Sequence, residues 1–130
     1  MKFSLIILDG PSSSQSSNTA LEFAKAAVAT DHELFRVFFA SDGVLHGSTL
    51  NTPPQDELNI AQAWQDFIRL HDVDAVVCVA ASLRRGLLNE QEAQRYQKPA
   101  DNLSDTMELS GLGQLIEATL SSDRVLTFGN

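Results

Sequence analysis

Apolar runs of strand length return along this chain at residues 3–8, 34–39, 74–79 and 124–128, and the stretches between them carry helical spacing. Leu21, Ala24 and Val28 recur on one helical face, as do Leu58, Ala61, Trp64, Phe67 and Ile68. Parallel strands need long return connections, and helices laid on a sheet bury its faces, so strands alternating with helices imply right-handed crossovers around a parallel sheet. We expect an α/β fold of three layers, α/β/α, on a mostly parallel sheet of about five strands. A chain of 130 residues fits a single domain, residues 1–130, and can bury about two-thirds of the surface its unfolded form exposes.

Local signals place the boundaries. Gly10-Pro11 and the serines through Ser17 break the chain after the first strand. Thr19-Ala20-Leu21-Glu22 offers a capping box for the first helix, which should run to Thr30. Residues 44–54, with Gly47 and the pair Pro53-Pro54, should form an irregular loop. Asn59-Ile60-Ala61-Gln62 can cap the next helix, and Trp64 within it is expected to be core. After a turn at Arg84-Arg85-Gly86, Asn89 should open a short polar helix ending before Pro99. A short strand is expected around Met107, and residues 110–118 lead into a last helix.

Charge and composition exclude several classes of function. Seventeen acidic against nine basic side chains give a net charge of -8, which opposes binding to phosphate backbones, so no direct nucleic-acid contact is expected. No apolar run reaches the roughly 20 residues of a membrane span. The segment from Met1 to Asp9 reads as a first strand, not a targeting signal, which implies a cytoplasmic protein with no membrane attachment. His32, His46 and His71 are too far apart for a close metal-ligand set and should be loop or helix-end residues. Two glycine-containing loops are candidate phosphate cradles, Gly10-Pro11 with its serines and Ser110-Gly111-Leu112-Gly113. Neither has the Gly-x-Gly-x-x-Gly spacing or the P-loop lysine, and no Gly-x-Ser-x-Gly elbow is present.

The chain has one cysteine, Cys78, where the strand-forming run Ala75-Val76-Val77-Cys78-Val79 gives way to Ala80-Ala81-Ser82-Leu83-Arg84-Arg85-Gly86. It cannot close a disulfide within the chain. Ligands and reactive groups of open α/β sheets gather outside the carboxyl ends of the strands, where this thiol falls. Free cysteine is also among the most buried residue types and often serves as a small hydrophobe. Arg84 and Arg85, or the amides of a helix starting after the strand, would favour a thiolate; arginine pairs are equally at home as solvated charge.

The segment from Cys78 to Gly86, with Phe38-Phe39 and Gly43-Val44 before it, Thr52-Pro53-Pro54-Gln55-Asp56 between, and Ser110-Gly111-Leu112-Gly113-Gln114-Leu115 after it, resembles the DsrE/TusD family of sulfur-relay proteins, most closely its TusD branch. The likeness spans nearly the whole chain. It implies that Cys78 is the catalytic residue of a sulfurtransferase, accepting sulfane sulfur as a persulfide and relaying it, with no metal and no organic cofactor. It further implies TusB-like and TusC-like subunits in a heterohexamer, a TusA-like donor, a TusE-like acceptor, and a pathway ending in 2-thiolation of the tRNA wobble uridine. DsrE-like relatives with the same cysteine segment serve sulfur oxidation instead. Two further readings differ in kind: a non-catalytic subunit with Cys78 buried and inert, and a thiol redox sensor, which the absence of a resolving cysteine disfavours.

Overall fold

The computed structural model describes all residues, Met1–Asn130. In chain order its elements are β1 (Lys2–Ile7), α1 (Ser16–Ala29), β2 (Glu33–Phe39), a 3-10 segment (Ser41–Gly47), α2 (Ile60–His71), β3 (Ala75–Cys78), α3 (Val79–Arg84), α4 (Glu90–Arg95), β4 (Glu108–Ser110), α5 (Leu112–Ser121) and β5 (Arg124–Phe128). The five strands form one sheet in the order β4-β3-β2-β1-β5, and every pairing is parallel. Successive steps from β1 to β4 run in one direction and the last step returns across the sheet. Right-handed crossovers therefore put α1 and α2 on one face and α5 on the other.

The strand pleat divides the core. Leu5, Ile7, Val37, Phe39, Ala75 and Val77 alternate onto the face covered by α1 and α2, where they meet Ala20, Leu21, Ala24, Trp64, Phe67 and Ile68. Trp64 is fully buried, stands edge-on to Phe39 at 5.5 Å and to Phe67 at 6.0 Å, and donates its indole N–H to the Ser17 carbonyl at 3.1 Å. The opposite face is more polar. Arg36 on β2 lies there, buried, with Nη2 2.8 Å from Asp74 and 2.9 Å from Glu117, while Nη1 donates to the Gln114 carbonyl at 2.8 Å. Hydrogen bonding to Asp74, opposed by burial and reinforced by Glu117, raises the Arg36 pKa above its ordinary value.

Several expectations need correction. Helix α1 starts at Ser16, ahead of Thr19, and no capping box forms: Thr19 Oγ1 donates to the Gln15 carbonyl at 3.0 Å and Glu22 faces Lys25 at 3.6 Å. The serine loop is instead gathered by Asp9, whose carboxylate accepts from Ser14 Oγ at 2.7 Å and Ser16 Oγ at 3.0 Å. These bonds, with the Asn130 amide, hold the Asp9 carboxyl below its ordinary pKa. Leu58 precedes α2 and is exposed, so it is not part of the apolar stripe; Asn59 does cap α2, its Oδ1 accepting from the Gln62 amide at 3.0 Å. Part of the stretch expected to be irregular, through Gly47, belongs to the 3-10 segment. Gly43 makes this possible, because any Cβ there would collide with the Ile7 carbonyl. Side-chain amides satisfy the loop that follows: Asn51 Nδ2 donates to the Leu45 and Ser48 carbonyls, and Gln65 Nε2 to those of His46 and Ser48.

Candidate active site

Cys78 is the last residue of β3, an inner strand held between β2 and β4. Val76 and Val77 before it are fully buried, and Val79 after it already belongs to α3, so the backbone turns at the cysteine. Strand β3 is thus two residues shorter than the expected 74–79, since Asp74 precedes it and Val79 is taken by the helix. The Cys78 backbone is extended, with φ -62° and ψ 123°, and its side chain makes no capping hydrogen bond to α3. The thiol is free and half-buried, packed against the hydrophobic core on one side. Cys78 is therefore not fully buried.

Two loops border it at the carboxyl edge of the sheet. In the β3–β4 register Cys78 stands opposite Ser110, and Gly111 follows as the first flanking residue of α5. Gly111 and Gly113 would each admit a Cβ into open space, and neither has a positive φ, so nothing within the chain demands glycine there. On the other side the 3-10 segment packs against α3. It is joined to the end of that helix by Arg85, whose Nε donates to Asp42 Oδ1 at 2.8 Å and whose Nη1 donates to the Ala81 carbonyl at 3.1 Å.

The arginine pair divides. Arg85 is committed to Asp42, and Arg84 lies exposed in the last turn of α3, six residues past Cys78, a rise of about 9 Å. The sequence brings Cys78 and Ser110 together without a local signal, because their adjacency arises from strand pairing; Asp42 is equally silent in sequence. His32 and His71 occupy the helix-end and loop positions expected of them. His46 also has a helix-end position, in the last turn of the 3-10 segment, but it is fully buried, its ring 5.5 Å from that of Phe39, with Nδ1 2.9 Å from the Gly43 carbonyl. A carbonyl can only accept, so Nδ1 carries the proton, and Nε2 is buried without a partner. Burial lowers the His46 pKa to about 4, against a smaller raising effect of the Gly43 bond.

The serine loop lines a polar cleft of 660 Å³ with Asn18, Asn51, Thr52 and Asn59. Glu57 is its charged side chain and no lysine or arginine faces it, which is the wrong chemistry for a phosphate.

Comparison with known proteins places this geometry among relatives. DsrE of Allochromatium vinosum is 48% identical over 130 residues, covering all of both chains. A sulfurtransferase TusD homolog of Pseudomonas aeruginosa is 47% identical over 129 residues, covering 99% of this chain and 98% of its own. The crystal structure of the ychN protein from E. coli superposes with a TM-score of 0.76 at 28% identity, over 98% of this chain and 100% of that one. Full-length relatives of such similarity carry the name sulfurtransferase, and the chain falls in that activity class. Its residues 1–128 match the family model, and the chain belongs to the DsrE/DsrF-like family.

Proposed function

We infer that this sulfurtransferase carries its sulfur as a persulfide on Cys78 and relays it between partner proteins. The observation that carries the reading is the placement of the chain's single thiol: half-buried, free of any capping bond, at the carboxyl end of an inner strand. The Cys78 thiolate attacks the terminal sulfur of a donor persulfide. The donor S–S bond breaks, the donor leaves as a thiolate, and Cys78 holds the outer sulfur as Cys–S–S⁻. An acceptor thiolate then attacks that outer sulfur and Cys78 leaves as a thiolate, so the cycle has no net oxidation. One cysteine suffices and no metal or organic cofactor is required. A free thiol of this kind suits the reducing cytoplasm.

The donor in this reading is TusA-like and the acceptor TusE-like, and the sulfur ends as the 2-thio group of a tRNA wobble uridine made by a separate enzyme. A net charge of -8 accords with a protein that never touches the RNA. Assembly with TusB-like and TusC-like subunits in a heterohexamer is supported by Leu112, Ile116 and Leu120, which stand at helical spacing on the outer side of α5 and are 62%, 59% and 81% exposed. The similarity to a DsrE protein favours a second reading with identical chemistry at Cys78, in which the sulfur feeds oxidation. Loss of 2-thiouridine on deletion of the gene supports the first pathway; unchanged 2-thiouridine with impaired sulfur oxidation supports the second. The relay itself is tested by intact mass after incubation with a persulfide-loaded donor: a gain of about 32 mass units, reversed by dithiothreitol and absent in Cys78→Ser. No gain with its partner subunits present would sink the reading.

A further inference from the structure

We propose that the groove at the far end of α3 is a docking site for an acidic, apolar peptide segment of a protein that exchanges sulfur with Cys78. The groove has a volume of 360 Å³ and lies between the last turn of α3, the turn around Gly86 and the end of α4. Leu83, Leu88 and Tyr96 supply its apolar lining, and Arg84 and Lys98 supply its charge. Tyr96 is half exposed, an amphipathic ring of the sort that anchors interfaces.

The charge is what selects the occupant. Of the nine cationic side chains, Lys2, Lys25, Arg36, Arg69, Arg85 and Arg95 each pair with a carboxylate of the same chain. Arg84, Lys98 and Arg124 do not, and two of these three line this one groove. On a chain of net charge -8, with carboxylates in excess, two cations left unpaired beside apolar side chains form a local site of opposite sign to the rest of the surface. A segment that presents aliphatic side chains with carboxylates beside them matches both features, and the carboxylates fix its register and speed its arrival. The position identifies the visitor's business. Leu83 and Arg84 lie on the helix that Cys78 opens, about 7.5 to 9 Å along its axis from the thiol, so a segment seated here brings its own chain to the sulfur. The visitor's role rests on the relay reading; the groove's preference for an acidic apolar segment does not.

Two fluorescein-labelled decapeptides test the inference, one alternating leucine with glutamate and one alternating leucine with lysine, titrated into the native chain with amide NMR shifts recorded alongside. The glutamate peptide is expected to shift amides of residues 83–88 and 96–98, to weaken with added salt, and to bind about tenfold or more weakly to Arg84→Glu/Lys98→Glu, which should favour the lysine peptide. Arg84→Gln/Lys98→Gln provides the same comparison if charge reversal disturbs folding, which the NMR spectrum reports. Shifts elsewhere, equal binding of the two peptides, or indifference to both double variants would overturn the proposal. So would a change in sedimentation of the unliganded chain on charge reversal with no peptide binding, which would mean that a second copy fills the groove. Loading of native Cys78 from a persulfide-loaded donor, with the partner subunits present, is read separately: peptide binding without sulfur uptake would leave the docking site standing and remove the relay, while uptake without binding would do the reverse.

Discussion

Arg85 Nε donates to Asp42 Oδ1 at 2.8 Å while its Nη1 donates to the Ala81 carbonyl at 3.1 Å, so one guanidinium ties the 3-10 segment after β2 to the helix that Cys78 opens. The 3-10 segment, one of the two borders of the thiol, is therefore held against α3 by a partly exposed ion pair. A double-mutant cycle with Asp42→Asn and Arg85→Ala should give a coupling of about 0.5 to 1 kcal/mol. Each single variant should also speed alkylation of Cys78 by iodoacetamide, because the wall beside it loosens. Zero coupling with unchanged alkylation rates would show that the pair positions nothing.

His46 makes stability depend on pH. Its folded pKa of about 4 lies below the ordinary 6.5, so between these values the unfolded chain binds more protons than the folded one, and stability falls as pH drops through that window. The full effect is up to about 3 kcal/mol, complete near pH 4 and absent above pH 7. Urea midpoints measured from pH 7.5 to 4.5 should decline in the native chain and stay flatter in His46→Phe. Equal slopes would exclude His46 as the source.

Arg36 is buried whereas Asp74 and Glu117 are half exposed, with 44% and 58% side-chain accessibility, so the partners of this ion cluster are not equivalent. Removing the carboxylates with Asp74→Asn/Glu117→Gln strands a buried cation and should cost about 3 kcal/mol or more. Arg36→Met leaves carboxylates that water can solvate and should cost less. Thermal melts giving the opposite order would sink the argument.

The exposed stripe on α5 contributes little within the chain. Ile116→Glu/Leu120→Glu should leave the melting temperature of the isolated chain within a few degrees of native. Co-purification with TusB-like and TusC-like subunits should be lost. Retained co-purification would place the assembly interface elsewhere.

Gly43→Ala should be among the most damaging single-methyl additions, because the new Cβ would occupy the space of the Ile7 carbonyl. A cost of about 3 kcal/mol or more is expected, with a loosened 3-10 segment. A neutral result in chemical denaturation would mean that the β1 and β2 termini can separate without penalty.

The parallel sheet, the core role of Trp64 and the Asn59 and Asn89 caps were legible because each rests on a local pattern that burial does not alter. Thr19-Ala20-Leu21-Glu22 misled because Asp9, a residue distant from that motif, gathers the preceding serines and starts the helix earlier. The 3-10 segment was illegible because its cause is a close approach between Gly43 and β1. At the site, Cys78 stood out by type and position, but its neighbours did not. Ser110 reaches it through a ladder, Asp42 takes Arg85 away from it, and Arg84 lines a groove that forms only where the end of α3, the turn around Gly86 and the end of α4 come together. Pairings across the sheet carry no trace in either partner's local sequence.

Strand β5 has a consequence for how the molecule comes into being. It fills the open side of β1, with Phe3 opposite Arg124 and Ile7 opposite Phe128, and a bond from the Lys2 amide to Asp123 spans 121 residues. During synthesis, β2 and β3 can add to β1 as they emerge, while the other side of β1 keeps a row of unpaired amides and carbonyls until the final strand is made. Until β5 is made, the nascent chain thus carries one unpaired flank at β1, the kind of edge that invites pairing with other chains.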